Sequence, residues 1–204
     1  MNDINESYRQ IFTMNGIEPA DVEKELAKYK QISLTHDDRF SGFAIPSMWG
    51  HYADKGYGVC LVFDKAKLLR KIPDECYKNN ISYSLDYNSD IVIKGDLKGT
   101  FDTHIYDLFF TKTLDWEHEQ EYRILTKNDD SIDIEGCVIA IVMCIVNGVA
   151  YGDSIWGADD VDEMKKKFSM IPVLEFNYWT GQSILRDEKG NQWYPPRTDY
   201  TIVV

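Results

Sequence analysis

Residues 46–64 read PSMWGHYADKGYGVCLVFD. Pro46 fits an early helical position, where its missing N–H removes no bond, and Ser47 is placed to cap that turn. Trp49, Tyr52 and Ala53 recur at three- and four-residue spacing and predict one shared helical face. His51 points elsewhere. Gly56 and Gly58 predict a tight reversal. VCLVF, apolar and rich in β-branched residues, predicts a strand covered on both faces. Asp64 ends it, and KAKLLRKI reads as the next helix. A helix, a glycine turn and a buried strand in so short a stretch predict a mixed architecture.

The flanks carry the same mixture. Upstream, Ile4, Tyr8, Ile11 and Phe12 predict a helix over 4–14. A second, amphipathic helix begins at Pro19, with Val22, Leu26 and Tyr29 inward. ISLTH, 32–36, reads as a strand. His36, Asp37 and Asp38 after it supply too few ligands for a metal site. Downstream, alternation of Ile81, Tyr83, Leu85 and Tyr87 predicts a half-buried strand, and 88–99 reads as an exposed loop or a mobile lid. Phe101, Ile105, Leu108 and Phe109 predict a packed helix over 101–111. Residues 119–125 and 137–146 read as strands, the second ending at an Asn147-Gly148 turn. Helix 159–168 turns Val161, Met164 and Phe168 inward and ends on Lys165 to Lys167, the favoured end for positive charge. Strand 172–178 follows, then a polar extension with Trp193, Tyr194, Pro195 and Pro196 that reads as a small hairpin or an extended tail.

This order predicts an α+β fold: a single compact domain, 1–204, with a bent mixed or mainly antiparallel sheet flanked by helices. Its parts are N-terminal helices over 4–30, a core over 30–178 and an aromatic extension over 179–204. Several connections are too short for the crossovers of a doubly wound parallel sheet. No GxGxxG pattern supports a dinucleotide-binding Rossmann domain.

The chain has 204 residues, 44% hydrophobic, with a formal net charge of −12. That charge argues against a nucleic-acid backbone as the default partner. The longest apolar run, VIAIVMCIV, is too short to span a bilayer, and the polar, acidic start MNDINESYRQ is no signal peptide. No membrane association and a cytoplasmic location are expected. Cys60, Cys76, Cys137 and Cys144 form no CxxC pair, so free buried thiols are expected and no metal ligands are assigned.

The chemistry concentrates in TKTLDWEHEQEYRIL, 111–125. On a strand over 119–125, Glu119, Glu121 and Arg123 share one face, and Gln120 and Tyr122 take the other. Two carboxylates on one face repel unless a cation or a ligand hydroxyl lies between them. Close placement would raise one pKa and supply an acid and a base. The alternative is a ladder of ion pairs, Arg123 beside Glu121 and Lys112 offsetting Glu119. On a surface such pairs are worth roughly 0–1 kcal/mol each. His51 is either a base with an orienting partner or a histidine that fixes a turn. Trp49 and Tyr52 read as core or pocket wall.

Two motifs together resemble the bacterial and phage family catalogued as domain of unknown function 2971. The first is Trp-x-His-Tyr-Ala running into Gly-x-Cys-x-x-Phe-Asp, here Trp49, His51, Tyr52, Ala53, Gly58, Cys60, Phe63 and Asp64. The second is a lysine near Trp-x-x-Glu-x-Glu-x-Arg, here Lys112, Trp116, Glu119, Glu121 and Arg123. The resemblance names no reaction. The Glu-x-Glu spacing is in turn similar to the pair in ADP-ribosyltransferases. That likeness implies Glu121, Glu119 and His51 as catalytic residues and NAD as a candidate substrate, with no cofactor required. Trp49, Tyr52, Lys112, Trp116 and Arg123 would line the ligand site. Two alternatives stay open. One is a metal-dependent phosphoester hydrolase taking a third oxygen ligand from Asp64 or Asp115. The other is a non-catalytic module that binds a small molecule or a protein.

Overall fold

A computed structural model describes residues 13–14, 18–36, 42–85, 92–93, 96–127, 131–145, 158–177, 185–186, 189, 191–193 and 200–203. The fold is α+β, with both antiparallel and parallel strand pairs. The chain packs as two compact units. One is Met1–Ser33 with Pro73–Ile132, the other Leu34–Ile72 with Asp133–Val204.

In the first unit, strand β1 (Thr13–Met14) pairs in parallel with β6 (Val92–Ile93). Helix α1 (Pro19–Leu26) begins on a proline at its first turn and buries Val22. β2 (Tyr29–His36) starts in this unit and ends in the other. β4 (Tyr77–Asn80) and β8 (Glu121–Lys127) are antiparallel, with Asn79 opposite Arg123. β5 (Ser82–Ser84) and β7 (Thr111–Thr113) are parallel, with Tyr83 opposite Lys112. Two short helices, α4 (Leu97–Thr103) and α5 (Ile105–Phe109), bury Phe101, Ile105, Leu108 and Phe109. These rings and chains pack with Val22, Tyr29, Ile81 and Leu125 into the core of the unit.

In the second unit, β9 (Val138–Ile145) lies between β3 (Val59–Asp64), antiparallel to it, and β10 (Val173–Asn177), parallel to it. The run is apolar because both faces are covered. Ala140, Val142 and Cys144 pack with Trp49, Cys60, Val62 and Phe176. Ile141 and Met143 pack on the other side with Val161 and Val173. Val161 belongs to α6 (Ala158–Lys167). Trp49 lies in α2 (Pro46–Tyr52), stacks on Phe176 at 5.8 Å and donates its Nε1 hydrogen to the Phe43 carbonyl at 2.7 Å. Asp64 caps α3 (Lys65–Lys71), accepting from the Lys67 N–H at 2.9 Å.

Several expectations are corrected. Residues 13–14 are strand, and the rest of the helix expected over 4–14 lies outside the described residues. Ile45, not Ser47, holds the cap position of α2, and no side chain caps it. Trp49 and Ala53 are buried, but Tyr52 is exposed, because the helix ends there. The strand expected over 77–87 breaks at Ile81, whose N–H donates to the Glu121 carbonyl while Ser82 N–H turns to Phe110. Leu85 therefore stands 81% exposed. The helix expected over 101–111 is two helices broken at His104. Of the two readings of the C-terminal tail, the hairpin holds, between Leu185–Arg186 and Gln192–Trp193, and beyond it Tyr200–Val203 enters the sheet beside β3, pairing also with Thr35 and His36. Among the described residues, no helix is long and apolar enough to cross a membrane.

The turn between α2 and β3 depends on Gly58. A Cβ there would sit 2.8 Å from the Ala53 Cα, a backbone atom with no room to yield. Gly58→Ala is expected to lower stability by about 1–3 kcal/mol through overpacking. Gly50, in α2, has open space where its Cβ would go, so Gly50→Ala is expected to raise stability by about 0.5–1 kcal/mol. Urea denaturation of the two variants checks the opposite signs.

Candidate functional site

The second motif builds one buried cluster in the first unit. Lys112 is the middle residue of β7, and Trp116 and Glu119 lie on a 3₁₀ turn over Leu114–Glu119. Gln120 then adopts a left-handed conformation, φ 47°, and its N–H donates to the Glu117 carbonyl at 3.2 Å. Glu121 opens β8, with Arg123 two residues on. Glu119 is thus not part of the strand, as 119–125 had suggested. It reaches the same place as Glu121 from a different element.

The Lys112 ammonium bridges the two carboxylates, 2.6 Å from Glu119 Oε2 and 2.8 Å from Glu121 Oε2. Arg123 takes the other side of Glu121, with Nε donating to Oε1 at 2.7 Å and Nη2 to Oε2 at 3.0 Å. Its Nη1 donates to the Phe109 carbonyl. The Glu121 N–H donates to the Tyr83 hydroxyl at 2.8 Å. The Trp116 ring centroid lies 5.5 Å from Lys112 Nζ, within range of a cation–π contact. None of the four charged residues is more than 4% exposed. The pairs are those of the ion-pair ladder, but they are buried, so the small worth of a surface pair does not apply to them.

Burial pushes the Glu121 carboxyl up. The charge and hydrogen bonds of Arg123, and then those of Lys112, outweigh it and hold the group below the ordinary carboxylate range. Burial also pushes the Tyr83 hydroxyl up, so it stays protonated. Two further polar atoms of this segment, Thr113 Oγ1 and Gln120 Oε1, are buried without a hydrogen-bond partner. Tyr83, Thr113, Gln120 and the Phe109 carbonyl were not among the site residues picked from the sequence. Tyr83, Phe109 and Gln120 were read there only as positions on a strand or helix face.

The remaining candidates lie in the second unit. Trp49 is a core residue, 3% exposed. His51 and Tyr52 are on the surface, their rings 6.2 Å apart and edge to face. Lys112, Trp116, Glu119, Glu121 and Arg123 are therefore brought together, whereas Trp49, His51 and Tyr52 belong to a different unit. Among the described residues, no group of three or more His, Cys, Asp or Glu side chains is placed to hold a metal ion. Between Glu119 and Glu121 stands an ammonium group.

Residues 48–124 match the family described as protein of unknown function, DUF2971. The matched stretch holds both motifs, so the resemblance read from them is borne out there. No curated protein and no solved structure matches the chain. The DUF2971 stretch contributes Trp49 and Gly58 to the packing of one unit and the charged cluster to the other.

Removing one partner from a buried pair leaves the other charge without compensation. Glu121→Gln is expected to cost about 3–5 kcal/mol, read by urea denaturation. Because the folded pKa of Glu121 is depressed, its stabilisation is complete above the ordinary value of 4.5 and is lost as pH falls through the folded value. The unfolding midpoint of the wild type is expected to drop on acidification below that point. The same profile measured for Glu121→Gln should be shallower there.

Proposed function

We propose that the chain is a non-catalytic binding module and that the Glu-x-Glu motif is part of its framework. The observation that carries this reading is the state of Glu121. Both its oxygens are engaged by Arg123 and Lys112, and the residue is 3% exposed. A general base or a ribose-binding carboxylate needs at least one oxygen within hydrogen-bond reach of its substrate. A carboxylate held below its ordinary pKa by two cations is also a poor proton acceptor near neutral pH. The ADP-ribosyltransferase-like reading, with NAD as substrate, therefore asks the cluster to open and to release Arg123. A divalent ion would have to displace Lys112 before Glu119 and Glu121 acted as ligands. The exposed rings of the first motif, His51, Tyr52 and Tyr57, offer a surface of the type that partners use, tyrosine being enriched in binding hot spots.

Incubation of the full chain with NAD, with and without cell extract, is expected to release no nicotinamide by proton NMR. Millimolar NAD is expected to leave the melting temperature unchanged. Nicotinamide release that disappears in Glu119→Gln, with that variant still folded by circular dichroism, would overturn the proposal and restore the transferase-like reading.

A further inference from the structure

The second unit has a cavity of about 380 Å³ where α6 runs into β10. That volume lies within the ~300–1,000 Å³ usual for small-molecule sites. Lys165, Ser169, Met170, Ile171, Pro172 and Val173 line it. The lining is mixed: Lys165 and Ser169 bring polar side chains, and Met170 to Val173 bring apolar ones. Met170 is 93% exposed, an apolar side chain almost wholly in water. Methionine is the side chain best able to adapt its shape to an apolar partner.

The lysines complement the end of α6, where the helix dipole is negative. That accounts for their position but not for the cavity beside them or for the exposed Met170. Lys165 has a partner, Glu175, but at 3.6 Å and with both side chains partly in water. A pair of that kind is worth about 0–1 kcal/mol, so an incoming anion loses little by displacing it. Lys166 and Lys167 follow directly, and they gather positive charge on a chain whose net charge is −12. The acidic residues of the helix, Asp159, Asp160, Asp162 and Glu163, all precede the lysines.

We propose that this cavity binds an amphipathic carboxylate, an aliphatic chain with an anionic head. The chain lies against Met170, Ile171, Pro172 and Val173, and the head meets Lys165 beside Ser169. The site lies outside the charged cluster of the other unit, so it stands or falls independently of the reading proposed for Glu121.

The test is a titration of the full chain, labelled at its methionine methyl groups, with octanoate, acetate and octyltrimethylammonium. Methyl resonances are followed by NMR, with Met170 assigned through Met170→Leu. Octanoate is expected to shift the Met170 methyl saturably, and acetate and the cationic amphiphile are not. Lys165→Gln, on a partly exposed helix end, is expected to keep the wild-type melting temperature and to weaken octanoate about fivefold, the worth of one partly exposed charge pair. No saturable shift with octanoate overturns the proposal. So does equal binding of octyltrimethylammonium, saturation by acetate alone, or an affinity unchanged by Lys165→Gln.

Discussion

Arg123 is 1% exposed, and a guanidinium cannot shed its proton to escape burial. Its charge must be met inside the unit, and Glu121 meets it with both oxygens. That pairing alone would leave Lys112, equally buried, without enough negative charge, and Glu119 supplies the remainder. Two cations and two anions then balance. The balance fixes where several elements must end. β7 has to carry Lys112 inward. The 3₁₀ turn has to finish on Glu119, and α5 has to leave the Phe109 carbonyl facing Arg123. A buried ion pair is no proof of stability, since desolvation consumes much of the attraction. It does penalise every arrangement in which one of the four charges loses its partner.

The same balance limits the chemistry available. Paired carboxylates serve as acid and base when their surroundings push their pKa values apart. Around Glu121 the two cations pull the value down. A cluster that is neutral in sum, closed to water and engaged at both oxygens of one carboxylate has the properties of a tertiary crosslink. Thr113 Oγ1 and Gln120 Oε1 are the buried polar atoms of this segment left without a partner. They are neutral, so leaving them unmatched costs far less than leaving a charge unmatched.

How much of this was legible follows from the range of each signal. The α+β class, the strands at 59–64, 121–127, 138–145 and 173–177, and the ion pairs of the second motif were all readable, because local periodicity and charge sign encode them. Burial was not. A two-residue spacing says which side chains share a face, but not whether that face meets water, a cleft or a core. Glu119 was assigned to a strand because its register with Glu121 is the same whether or not Gln120 turns left-handed. The break at Ile81 arises from bonds to Glu121 and Phe110, which lie far along the chain. The strand at Tyr200–Val203 is set by its pairing with β3, again a distant partner. No window around those residues contains that information.

The first motif shows how much of a dense signature a single turn can account for. Asp54, Lys55 and Gly56 have φ of 44°, 59° and 101° in succession. Left-handed backbone is tolerated by aspartate and natural for glycine, but it is uncommon for lysine. Strain of this kind often accompanies function. Here a structural cause is sufficient. The Ala53 carbonyl accepts from both Gly56 N–H and Gly58 N–H at 2.8 Å, which wraps the chain tightly around Ala53. That wrap brings Gly58 against the Ala53 backbone and launches β3, so that Cys60 and Val62 enter the core with Trp49 and Ala53. The aromatic and glycine positions of the motif are therefore coupled through one carbonyl. Tyr57 is carried outward by the same geometry, to 58% exposure. What the motif specifies is the turn, and the exposed positions of Tyr52 and Tyr57 follow from it.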